Sequence, residues 1–224
     1  GDYERFLGHA GEVEPGGRLR LLDSDSPILD FLGVAYVFDH PSMGRRPDVR
    51  PVYLGPDALV HENPRALPRL YLPREVVVAP PPEALSAVAG IDDFARRVVA
   101  STTEPAGLPP PGVHPNGTAR VRRLDVRPGE IAATVEAETI TLVATSQPAI
   151  PGWRLWRDGV EHEPIRINGA FLGAAVEPGT SELVFAYRPR SWWWGWTLFA
   201  LGALGLLGVP LVIRCGRAGG TRSG

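Results

Sequence analysis

The run GEIAATVEAETITLVAT, residues 129–145, decides the fold class. Ile131, Ala133 and Val135 alternate with Ala132, Thr134 and Glu136; Ile140, Leu142 and Ala144 alternate with Thr139, Thr141 and Val143. A period of two puts one set of side chains on each face of an extended chain, which predicts strands. The period returns at Leu183, Phe185 and Tyr187 against Val184, Ala186 and Arg188. Between these runs stand Asn116-Gly117, Pro128-Gly129, Pro151-Gly152, Asp158-Gly159, Asn168-Gly169 and Pro178-Gly179. Asn-Gly and Asp-Gly supply the positive φ of tight hairpins. Many short strands divided by glycine turns predict a mainly β domain over residues 34–191, an antiparallel β-sandwich of jelly-roll type with a few short helices.

Upstream of that run the pattern is mixed. Within an N-terminal segment, residues 1–33, Ser26-Pro27 predicts an N-cap and first helical position for a short helix through Leu32. Val34 to Phe38, Ala58 to His61, Leu70 to Ala79 and Arg97 to Ala100 read as strands, and Pro82 to Ala89 as a second short helix. Residues 104–117 hold five prolines and three glycines, which predicts a loop.

Downstream, Trp192 to Ile213 is 22 residues without a charge. At about 1.5 Å rise per residue a helix of that length spans a hydrocarbon core of about 30 Å. Trp192, Trp193, Trp194 and Trp196 crowd one end, where aromatic rings settle among lipid headgroups; Arg214 and Arg217 mark the other, the cytoplasmic one. Residues 192–213 are therefore expected to cross a cell membrane, with 214–224 a cytoplasmic basic tail and 1–191 extracytoplasmic. Gly202, Gly205 and Gly208 would let a neighbouring helix approach closely, so the expected partners are the lipid bilayer and further membrane helices. Pro210 falls near the inner end of the span, and Cys215, the only cysteine, lies just beyond it and excludes an internal disulfide. Gly1 to Ala10 lacks the apolar core of a signal peptide, so the chain is expected to be the C-terminal part of something longer.

Composition agrees. Hydrophobic residues at 44% of 224 supply a packed core. All 23 cations are Arg, a compositional bias. Residues 1–191 carry 20 Arg against 25 acids, a net charge of −5, whereas nucleic-acid binding calls for cations clustered on the folded body.

Little in the chain points to chemistry. His9, His40, His61, His114 and His162 are scattered, with no second ligand at metal spacing. Asp23 and Asp25 lack the Gly and Glu that a calcium loop needs. No G-x-S-x-G occurs and no cofactor motif stands out, which argues against a free-standing hydrolase. Asp92-Asp93 reads as the start of a turn, and Glu161 and Glu163 as a water-facing pair. Asn116-Gly117-Thr118 fits an N-glycosylation pattern but reads as a hairpin. Arg120, Arg122 and Arg123 read as the solvent face of a strand, with an anionic lipid carrier or polymer as the functional alternative. Trp153, Trp156 and Asp158 gather at one hairpin as substrate-binding candidates: the rings are core anchors or sugar-stacking surfaces. Their spacing of three puts the two rings on opposite strand faces. Arg65 and Arg69 flank a proline-fixed elbow, Asn63-Pro64 to Leu67-Pro68, and either lock it or contact headgroups.

Several of these stretches, in order, resemble one family. They are Phe31-Leu32-Gly33-Val34-Ala35-Tyr36-Val37, the segment Val60 to Tyr71 around Glu62-Asn63-Pro64-Arg65-Ala66-Leu67-Pro68-Arg69, Pro151-Gly152-Trp153-Arg154, Asp158-Gly159, Asn168-Gly169-Ala170-Phe171 and Phe185-Ala186-Tyr187-Arg188-Pro189. Followed by an apolar helix, they resemble the YfhO family of bacterial polytopic membrane proteins across residues 26–213. The resemblance implies a C-terminal extracytoplasmic domain of a protein similar to polyprenyl-phosphate-sugar-dependent glycosyltransferases that modify cell-envelope polymers. The catalytic loop would lie upstream, so this chain alone is not expected to be catalytic. A polyprenyl-phosphate sugar or an envelope glycopolymer would be its ligand. Ser146 to Trp153, SQPAIPGW, departs from the aromatic-rich family pattern there. The alternative is a single-span, membrane-anchored glycan-binding or structural β-sandwich module.

Overall fold

The computed structural model describes residues 2–9, 11–13, 19–21, 26–40, 51–101, 108–189, 191 and 194–204. Besides a helical segment at 194–204, three short helices and seventeen strands are described. In chain order they are α1 (Asp2–Leu7), β1 (Gly11–Val13), β2 (Leu19–Leu21), α2 (Pro27–Phe31), β3 (Tyr36–Asp39), β4 (Pro51–Leu54), β5 (Leu59–Glu62), β6 (Leu70–Tyr71) and β7 (Glu75–Ala79). Then come α3 (Pro81–Val88), β8 (Arg97–Ser101), β9 (Gly112–Pro115), β10 (Ala119–Arg127), β11 (Glu130–Ala137), β12 (Thr141–Pro148) and β13 (Trp153–Arg157). The last are β14 (Val160–His162), β15 (Ile165–Ile167), β16 (Phe171–Val176) and β17 (Gly179–Tyr187). The chain is thus mainly β, as its alternation requires.

The chain divides into two units: residues 1–150 with 154–186, and residues 151–153 with 187–224. The first unit holds a seven-stranded sheet ordered β6-β12-β16-β15-β8-β7-β9, a five-stranded sheet ordered β10-β11-β17-β13-β14, a three-stranded sheet ordered β3-β5-β4, and the β1-β2 pair.

The seven-stranded sheet is mixed, which corrects the purely antiparallel expectation. β7 and β8 run parallel, Val76 beside Val98 and Val78 beside Ala100, and α3 lies in the connection between them. Parallel neighbours need such a crossover, because a tight turn cannot bring the chain back in the same direction. One face of this sheet carries Val76, Val78, Val98, Ala100, Leu142, Ile167 and Phe171. These residues join Phe6 of α1, Ile28 and Phe31 of α2, Ala84 and Val88 of α3, and Phe94 in one buried cluster. Phe31 is central to it, with ring centroids 4.6 Å from Phe171, 5.0 Å from Phe94 and 5.4 Å from Phe6. The opposite face is buried as well: Val143, Ala174 and Val176 are fully enclosed.

The five-stranded sheet keeps the period of the sequence. Ile131, Ala133, Val135 and Ala137 are buried while the residues between them stay partly open. Ile131 and Ala133 pair with Phe185 and Leu183 of β17, so the buried face continues across strands. From β13, Arg157 reaches the Ala175 carbonyl of β16 in the larger sheet at 3.0 Å.

Turn chemistry accounts for the hairpins. Asp158 and Gly159 have φ of 53° and 80° between the paired strands β13 and β14. Asn168 and Gly169 lie between β15 and β16 with φ of 46° and 74°.

Asn116-Gly117 is not a hairpin. β9 pairs with β7 and β10 with β11, so the dipeptide links two sheets. Asn116 fixes the first of these sheets, tying β12 to the residues just before β7: its Nδ2 donates to the carbonyls of Pro73 at 2.8 Å and Leu142 at 2.9 Å, and its Oδ1 accepts from Leu142 N. β9 also falls within the predicted 104–117 loop. As an edge strand ending at Pro115 it tolerates the missing donor; residues 102–107 lie outside the described ones. Ser26 precedes the helix at Pro27 without a side-chain cap bond.

In the second unit, Arg188 N donates to the Gly152 carbonyl at 2.6 Å, and the Trp153 and Tyr187 rings sit 5.7 Å apart. Residues 194–204 are helical, and Trp196 packs edge-on against Phe199 at 5.9 Å. Among the described residues no helix is long and apolar enough to cross a membrane.

Candidate functional site

The two segments that carry the family resemblance near the N-terminus come together. α2 ends in a left-handed cap: Gly33 has φ +72°, its N–H donates to Asp30 O, and Val34 N–H donates to Leu29 O. A side chain at Gly33 would stand 2.9 Å from the Leu67 carbonyl, so the elbow needs glycine there. Asn63 then binds the cap from the other side, its Nδ2 donating to Asp30 Oδ1 at 2.8 Å and to the Val34 carbonyl at 3.0 Å. Leu67 N donates to the Asp30 carbonyl at 2.8 Å.

Arg65 and Arg69 serve this elbow. Arg65 Nε lies 3.1 Å from Asp30 Oδ2, the carboxylate that also holds Asn63. Arg69 Nη1 donates to the Ser146 carbonyl and hydroxyl, both at 3.3 Å, tying the elbow to β12. Both guanidinium groups thus bind within the fold, Arg69 through a serine rather than a carboxylate.

Asp158 is engaged in the same structural way. Its Oδ1 accepts from Glu182 N at 2.7 Å and its own N–H donates to the Glu182 carbonyl at 2.9 Å. These bonds lock the β13–β14 turn to β17 and set the register there.

The two tryptophans have different neighbours. Leu155 between them is buried in the sheet. Trp156 therefore faces the open side of the five-stranded sheet, directly across from Glu161 of β14. Trp153 meets Tyr187 in the second unit. Trp194 and Trp196 lie in the helical segment 194–204, Trp194 with 70% exposure. Trp192, Trp193, Arg214, Arg217, Cys215, Gly205, Gly208, Pro210, Asp23 and Asp25 lie outside the described residues.

Three ion pairs lie on the open side of the sheet. Arg154 Nη1 lies 3.0 Å from Glu161 Oε1, Arg127 Nη2 lies 2.6 Å from Asp125 Oδ2, and Arg122 binds Glu136. Asp93 Oδ1 accepts from Ala95 N and Arg96 N, the turn expected at Asp92-Asp93. Two arginines converge on Glu75: the Arg97 hydrogen bond, more than the Arg96 one, holds its carboxyl below the ordinary range.

Two features escaped the sequence. His61 of β5 is almost wholly buried, with Nε2 3.5 Å from Asp39 Oδ2 on β3. Strand pairing brings them together, and no local spacing announces it. The Tyr71 hydroxyl is buried without a hydrogen-bond partner among the described residues; burial, and secondarily the Asp93 charge, drive its proton loss far above the ordinary phenol range. Its ring lies in the Phe31 cluster, away from any open surface. Among the described residues no three His, Cys, Asp or Glu side chains gather to hold a metal ion. No protein-family model matches the chain, and no curated protein or solved structure matches it.

Proposed function

We propose that this chain is a β-rich extracytoplasmic domain held to a bacterial membrane by residues 192–213. In this reading it is the C-terminal part of a polytopic protein similar to the YfhO family, and it braces the acceptor side of a glycosyltransferase-like enzyme rather than performing the chemistry. The observation that carries the reading is the surface of the helical segment. Trp194, Trp196, Leu198, Phe199, Leu201 and Leu204 are each more than half exposed. Soluble proteins seldom leave so continuous an apolar surface in water. It belongs to a run of 22 residues without a charge, bounded by tryptophans and arginines.

The body supports a supporting role. Arg65, Arg69 and Asp158, the polar candidates, are all engaged in holding the fold. The buried sides of the five- and seven-stranded sheets read as stacked on each other, a sandwich with helices on its outer side, bridged by Arg157. A jelly-roll connection is part of the same proposal.

Membrane retention tests it. The full chain, expressed in bacteria, should remain in the membrane pellet through alkaline carbonate extraction, and a chain lacking residues 192–213 should appear in the supernatant. Extraction of the full chain by carbonate would refute the reading.

A further inference from the structure

We infer that the open face of the five-stranded sheet binds a neutral carbohydrate chain on a shelf beside Trp156. This goes beyond the membrane reading and does not depend on it. A chain that carbonate extracts but that binds glycan would refute the first and keep the second.

The register places the shelf. Asp158 and Glu182 exchange two hydrogen bonds, which sets Trp156 beside Val184 across β13 and β17. Val184 pairs with Ala132, and Ala132 with Asp125. One row across the sheet therefore reads Glu161, Trp156, Val184, Ala132, Asp125. Its middle is low and apolar, two small side chains spanning roughly 10 Å at about 4.8 Å per strand. The indole stands on one side of that floor and a carboxylate on the other. All five residues are at least partly open, while Leu155, Phe185 and Ile131, on the strands beneath them, are buried.

The chemistry at the edges selects the ligand class. A sugar ring offers an apolar C–H face for the indole and hydroxyls for the rim. Carboxylates and guanidinium groups are the side chains that bind vicinal hydroxyls in a planar, two-point fashion. Here they are held in place by each other, Arg154 with Glu161 on the Trp156 side and Arg127 with Asp125 on the far side. Each of these two guanidinium groups is matched by a carboxylate, so the pairs add no net positive charge to the rim, and Arg123, a further cation on this face, shares its row with the acidic Glu182. A phosphate-bearing polymer, an anionic lipid surface or nucleic acid would need a net positive charge there. Trp153, whose ring meets Tyr187, is not part of the shelf.

The experiment uses the full chain without sugar-headgroup detergents, in nanodiscs if carbonate leaves it in the membrane and in plain buffer if carbonate extracts it. The probes are hexasaccharides of β-1,4-linked glucose, α-1,4-linked glucose and β-1,4-linked N-acetylglucosamine, with poly(glycerol phosphate) as the anionic probe. Binding is read by calorimetry and by the tryptophan fluorescence shift. At least one neutral probe should bind, with an affinity that hardly changes with salt. Trp156→Ala should weaken it about tenfold or more, the loss of one well-packed aromatic contact. Trp156→Tyr should retain most of the affinity and Trp153→Phe all of it. Ala132→Arg, on the open face and harmless to the core, should block binding by filling the floor. Failure of every neutral probe, equal binding by Trp156→Ala or Ala132→Arg, salt-sensitive binding of the phosphate polymer alone, or self-association through this face would each overturn the proposal.

Discussion

Replacing Phe171 by alanine should lower the unfolding free energy by about 3–5 kcal/mol, the usual cost of removing a fully buried phenyl ring. Phe171 has no exposed surface and lies 4.6 Å from Phe31, 4.7 Å from Phe6 and 5.7 Å from Tyr3, ring centroid to centroid. It is the residue at which the sheet, α1 and α2 share one contact. Its loss therefore empties a space that three elements were built around, and none can close it alone. A domain with a total stability of about 5–15 kcal/mol would lose a large share of it. Denaturant unfolding of the wild type, Phe171→Ala and Phe38→Ala measures this. Phe38 is 74% exposed on β3, and its removal should change stability by about 0.5 kcal/mol or less. Similar losses at the two positions would mean that the cluster does not organise the domain.

The second large effect concerns lipid. Leu201→Arg together with Leu204→Arg should move the chain out of the membrane pellet. Both side chains are exposed, at 61% and 66%, on the helical segment 194–204. An arginine near the centre of a spanning helix costs about 2.5–3.5 kcal/mol on insertion scales, so the pair removes about 5–7 kcal/mol of insertion free energy. The β body, whose core does not use these residues, should keep its unfolding transition. Retention of the double variant in the pellet after carbonate treatment would count against a lipid-embedded segment. Loss of the body's unfolding transition would show instead that the segment is part of the protein's own core.

The alternation at residues 131–135 and 183–185 was sufficient to give strands and their buried face, because one side of the five-stranded sheet is open and the chain records that asymmetry residue by residue. β12 is enclosed on both faces, and there the buried polar positions needed partners the sequence does not name: Thr145 Oγ1 donates to the Leu172 carbonyl at 2.7 Å. The parallel pair was legible in principle. Val76-Val77-Val78 and Val98-Val99-Ala100 are continuous apolar runs on either side of a helical stretch, the pattern of a crossover between doubly buried strands. β9 was hidden because the prolines of residues 104–117, Pro115 at its end among them, read as a loop, a reading that fails where the strand lies at an edge.

At the candidate site, strand parity gave the expectation that Trp153 and Trp156 occupy opposite faces. What parity within one strand cannot give is the neighbour on the next strand. Val184 and Ala132 come beside Trp156 only through the register that Asp158 and Glu182 impose. Asp158 shows the same limit from the other side: a polar residue beside a tryptophan suggested ligand binding, and the bond its Oδ1 accepts from Glu182 N, which parity within one strand does not announce, gives it a part in the turn.

The most direct measurement of the membrane reading uses the lone cysteine. Cys215 follows the apolar run by two residues. In intact bacterial cells expressing the full chain, a membrane-impermeant maleimide should leave Cys215 unmodified and should label it once the cells are permeabilised. A second chain, with Cys215→Ser and Glu138→Cys, should be labelled from outside without permeabilisation, because Glu138 is exposed on the β body. Labelling of Cys215 from outside, or of neither cysteine until the cells are opened, would contradict a body and tail held on opposite sides of the bilayer.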